Sequence, residues 1–152
     1  MKNTGDNFYL LNTTMNMQMP GLKLKQLQYE TDTWKRLLGF IEDENILLKT
    51  RLSEVLRNSF ANSMLEDAEL FQTGFIKKDE AISQLRNEIA VIDKLLVREI
   101  QENGKLVTPL HNRIKKLRSK IAATERQFGR LKTEFNSFLL ENIQEVELQA
   151  SL

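Results

Sequence analysis

Residues 24–55, LKQLQYETDTWKRLLGFIEDENILLKTRLSEV, decide the fold. Leu24, Leu27, Thr31, Trp34, Leu38, Ile41, Asn45, Leu48, Leu52 and Val55 recur in alternating three- and four-residue steps. That alternation keeps one stripe of an α-helix turned toward a neighbour, the a and d positions of a heptad. With two interruptions the stripe continues to Phe138. Its second stretch carries Ala68, Phe71, Phe75, Ile82, Leu85, Ile89, Ile92 and Leu96. Its third carries Leu110, Ile114, Leu117, Ile121, Thr124, Phe128, Leu131, Phe135 and Phe138.

The interruptions carry helix stop and start chemistry. Ser63-Met64-Leu65-Glu66 has the capping-box pattern, a hydroxyl for the N3 amide and a carboxylate reaching back. Asn103-Gly104 stops a helix, because glycine takes the left-handed C′ conformation without strain. Thr108-Pro109 starts the next, with Thr as N-cap and Pro where its missing amide is not needed. The spacing predicts helices over about 22–62, 64–103 and 108–145, with Gly74 as a kink or as a later start near Lys77. Residues 1–20, rich in Asn, Thr and Met, read as an arm before Pro20-Gly21, and 148–152 as a tail. The bundle domain is thus 21–147, and the arm is a candidate short fourth element.

Short turns between long helices make successive helices antiparallel neighbours. The fold class is all-α, an elongated up-down-up three-helix bundle with coiled-coil packing. Aligning the stripes places Trp34 level with Leu96 and Leu117, Leu38 with Ile92 and Ile121, and Asn45 with Leu85 and Phe128. Thr31 then lies near Glu99 and Ile114, and Lys78 lies level with Leu52 and Phe135, within reach of Glu54 or Glu134. Asn45, Lys78 and Glu99 occupy stripe positions reserved for apolar groups. Buried Asn fixes register in coiled coils, and long charged side chains carry their heads out to water.

The composition removes several chemistries. The 152 residues contain no cysteine and one histidine, so thiolate and multi-histidine metal sites are excluded. A di-iron bundle needs Glu-x-x-His on two helices, whereas Thr108 stands three residues before His111. The glycines are isolated and form no phosphate loop. No apolar run approaches the roughly 20 residues of a membrane span, and Phe8-Tyr9-Leu10-Leu11 is too short for a signal-peptide core. These readings predict a cytoplasmic protein, not an enzyme, with no cofactor, metal or small-molecule substrate.

Two surface features remain. The third stretch is basic, with Arg113, Lys116, Lys120 and Arg130 as candidate nucleic-acid contacts. The basic residues occupy several exposed heptad positions rather than one stripe, and acids of the second stretch are available as partners. No aromatic side chains alternate with them to stack on bases. Second, Phe40, Ile46, Leu47, Phe60, Ile76, Val91 and Val97 fall on outward positions. Together they make a patch that needs covering by the arm, a second copy or another helical protein. The leading expectation is therefore a scaffold or adaptor that associates with itself through Phe40, Leu47, Phe60, Ile76 and Val91. A nucleic-acid-associated helical protein is the alternative.

Overall fold

In a computed structural model the backbone is described for residues 20–58, 62–102 and 108–150, and side chains for 22–57, 64–100 and 108–142. Three helices fill these ranges: α1 (Pro20–Asn58), α2 (Asn62–Glu102) and α3 (Thr108–Ala150). The described residues contain no strand. Helices of 39, 41 and 43 residues are each about 60 Å long at 1.5 Å rise per residue, so the bundle is a rod. The helix α2 packs closely against both neighbours, while α1 and α3 approach each other at fewer places.

The predicted stripes are the core. Nine of the ten α1 stripe residues are buried, and only Val55 is half-buried. Leu24, Leu38, Phe75, Ile89, Leu96 and Phe135 are fully enclosed. At the end near the α1–α2 turn, Phe71, Phe75, Phe135 and Phe138 interlock. The Phe75 and Phe135 rings meet edge to face with centroids 5.1 Å apart, a favoured aromatic geometry.

Three expectations need correction. The helix α2 begins at Asn62 and runs without a break through Gly74, so the later start near Lys77 does not occur. Gly74 lets α2 approach α3 closely: a Cβ there would stand 3.1 Å from Leu131 Cδ1. Residues 143–150 contain neither Gly nor Pro, and α3 continues through them to Ala150, so the tail expected at 148–152 is helical as far as 150. Third, α2 sits one heptad away from the level expected for it. Asn45 reaches Phe75 and Asp79 rather than Leu85, and Thr31 reaches Asp93 rather than Glu99. Lys78 bonds Gln127 rather than lying level with Phe135. The α1-to-α3 offset is as expected: Glu30 pairs with Arg118 and Glu44 with Lys132, both 88 residues apart, as g-to-e pairs do across parallel helices whose core layers are 83 apart.

Charge explains the displaced register. Lys35, Glu42 and Lys49 on one edge of α1 pair with Asp93, Arg86 and Asp79 on α2, with signs alternating along the rod. Moving α2 by a heptad to the expected level would set Glu42 against Asp93 and Lys49 against Arg86. Like charges in contact oppose that slip.

Candidate interaction surfaces

The ion pairs fix which way each exposed side chain faces. Residues three or four apart share a ridge on a helix surface. Phe40 and Leu47 flank Glu44, whose carboxylate accepts from Lys132 of α3 at 2.9 Å, so both lie on the α3-facing edge of α1. Ile46 lies between Glu42 and Lys49, whose partners are on α2, so it occupies the opposite edge of α1. Ile76 precedes Asp79 by three residues and faces the same α1–α2 groove. Since Asn45 donates to the Phe75 carbonyl at 2.9 Å, the next residues on each helix, Ile46 and Ile76, stand at one level across that groove.

Phe40, Leu47, Ile46 and Ile76 are 61, 67, 49 and 47 % exposed. Ile46, Leu47 and Ile76 lie near a single level around the outward side of α1, and Phe40 lies one heptad, about 10 Å, away along α1. Leu47 rims a groove between α1 and α3, with Leu48 and Lys132 beside it, and Ile46 rims one between α1 and α2 floored by Ile82. Val91 does not belong with them. It follows Glu88 by three residues, and Glu88 pairs with Lys120 of α3 at 3.0 Å, which puts Val91 on the α2–α3 face. The expected single patch is thus divided by helix geometry, and Phe60 lies outside the described residues.

The four basic candidates are brought together. Arg113, Lys116 and Lys120 follow three- and four-residue steps, Arg130 stands three such steps beyond Lys120, and Lys120 bonds α2. All four therefore lie on the α2-facing side of α3 and are exposed, while other basic residues of α3 lie elsewhere: Arg118 and Lys132 pair with Glu30 and Glu44 of α1. Among the described residues, Lys120 is the one of the four with a carboxylate partner. The α2 acids divide their roles: Glu88 faces α3, whereas Asp79 and Asp93 pair with α1.

Polar groups in the core form a lock, not a cleft. Asn45 is fully buried; its Nδ2 donates to the Phe75 carbonyl at 2.9 Å and to Asp79 Oδ1 at 2.7 Å. Lys49 Nζ donates to Asp79 Oδ2 at 2.5 Å. Asn45 Oδ1 is buried with no protein partner, yet flipping the amide would turn that oxygen toward two acceptors. Thr31, also fully buried, directs its hydroxyl to Asp93 Oδ1 at 2.6 Å, with the Gln28 carbonyl as an alternative acceptor. Lys78 is half-buried and donates to Gln127 Oε1 at 2.6 Å. Burial pushes its ammonium below the usual lysine range. His111 is half-buried in the first turn of α3.

Among the described residues no three His, Asp or Glu side chains cluster to hold a metal ion, and no helix is long and apolar enough to cross a membrane. No family model, curated protein or solved structure matches the chain.

Proposed function

We propose that the chain is a cytoplasmic, non-enzymatic helical scaffold that associates with itself through the outward side of α1. The observation that supports this reading is the set of Phe40, Ile46, Leu47 and Ile76, large apolar side chains that face water within about 10 Å of one another along the rod. Burying a Phe or Leu is worth roughly 1.5–3 kcal/mol per side chain, so a self-complementary contact of four such residues per copy has a substantial driving force. Grooves beside Leu47 and Ile46 offer seats for a partner's side chains.

Light scattering after size exclusion tests this. The expected result is a dimer or higher oligomer that falls to monomer mass in the Phe40→Asp, Leu47→Asp double variant. Both residues are exposed, so helicity by circular dichroism should not change. An unaltered oligomeric mass in that variant would sink the proposal, and a monomeric parent chain would move it to a different helical partner.

A further inference from the structure

The α2–α3 face differs in chemistry from the outward side of α1. Arg113, Lys116, Lys120 and Arg130 run along the α2 side of α3, covering about 25 Å at 1.5 Å per residue. Lys77 joins them from α2: Lys78 bonds Gln127, which puts Lys77 at the level of Arg130. Between Arg113 and Arg130 the carboxylate brought to this face from α2 is Glu88, already occupied by Lys120. Other side chains here are small or neutral, including Ala81, Ala123 and Gln127. Beyond Arg130 the sign reverses, with Asp67, Glu134 and Glu141 along the same groove. A net charge of +1 for the chain hides this separation.

We propose that the α2–α3 face binds the phosphate backbone of double-stranded nucleic acid, with Arg113, Lys116, Lys120, Arg130 and Lys77 as the contacts. A duplex offers about one negative charge per 1.7 Å of axis, so a row of cations about 25 Å long lies in a dense phosphate field and meets the backbones where they cross it. Single strands are disfavoured because the face carries no aromatic ring on which bases stack. A membrane surface is disfavoured because Val91 is the single large exposed apolar side chain within the basic stretch, with Leu70 lying beyond it among Asp67, Glu134 and Glu141, whereas membrane-bound helices set a broad apolar face beside their cations. Backbone contacts of this kind carry no base specificity.

Fluorescence anisotropy with a 20-base-pair duplex, as DNA and as RNA, tests the assignment across a salt series. Four to five phosphate contacts give a slope of log affinity against log salt of about −4. The Arg113→Gln, Lys116→Gln variant should lose about tenfold in affinity and flatten that slope by nearly 2. Glu88→Gln should bind more tightly, because it releases Lys120; a purely structural role for the pair predicts no gain. Lys25→Gln, away from this face, serves as the control and should bind like the parent chain. No binding to either duplex at about 50 mM salt would overturn the proposal, as would equal loss in the control or preference for anionic vesicles. Oligomeric mass measured on the same variants should not change, so failure here is distinguishable from failure of self-association.

Discussion

Asn45 concentrates the tension between stability and uniqueness in one side chain. It is enclosed, its amide nitrogen is satisfied twice, and its oxygen has no partner within the protein. A buried polar atom without a partner costs about 1–3 kcal/mol. Asn45→Leu should therefore raise the unfolding free energy by about 1 kcal/mol, because the Phe75 carbonyl keeps its helical bond and Asp79 keeps Lys49. The cost should appear as lost uniqueness: a hydrocarbon here accepts α2 at more than one level. Denaturant titration with a two-dimensional amide spectrum checks both parts. A lower midpoint would show that the amide contributes net stability, and a single sharp set of resonances would show that other groups suffice to fix the register.

At the scale of the helix, those other groups are the alternating pairs between α1 and α2. Glu42 and Arg86 are 41 and 47 % exposed, so their pair contributes at most about 1 kcal/mol in water. Its larger effect is on choice among registers. Glu42→Arg alone sets two guanidinium groups opposite each other and should destabilise by about 0.5–1 kcal/mol, and adding Arg86→Glu should restore most of that. A double-mutant cycle with no coupling would leave the ladder without a role. The same residues show what the sequence made legible. The stripe marked which side chains are buried, down to Thr31 and Thr124, because three-four periodicity follows from helix geometry. It could not mark how far α2 slides, since every heptad slip preserves the stripe. The e-position charges held that information: Lys35, Glu42 and Lys49 alternate in sign, as do Asp79, Arg86 and Asp93. Reading the apolar positions without them moved α2 by seven residues. The surfaces were legible as residues but not as faces, because Val91 is assigned a side only once Glu88 is known to meet Lys120.

Viewed whole, the rod is two-sided, and the two surfaces are compatible only in one arrangement. The apolar residues surround α1, and the basic row lies between α2 and α3, which is the side of the bundle away from α1. A dimer closed through α1 by a two-fold axis would cover Phe40 and Leu47 on both copies and leave two basic faces pointing outward. Such a particle bridges two duplexes, whereas a monomer decorates one. At a protein concentration where all copies are dimeric, mixing duplexes labelled with different dyes should therefore give energy transfer between them. The Phe40→Asp, Leu47→Asp variant should keep its per-site affinity but lose the transfer, since its basic row is untouched. Arg113→Gln, Lys116→Gln should remain dimeric and lose transfer in proportion to its weaker binding. Transfer that survives in the monomeric variant would mean that a single rod holds two duplexes, which one row of cations about 25 Å long is too small to do. Absence of transfer with a dimer that binds duplex would place both basic rows on one side, and so require an axis other than one through α1.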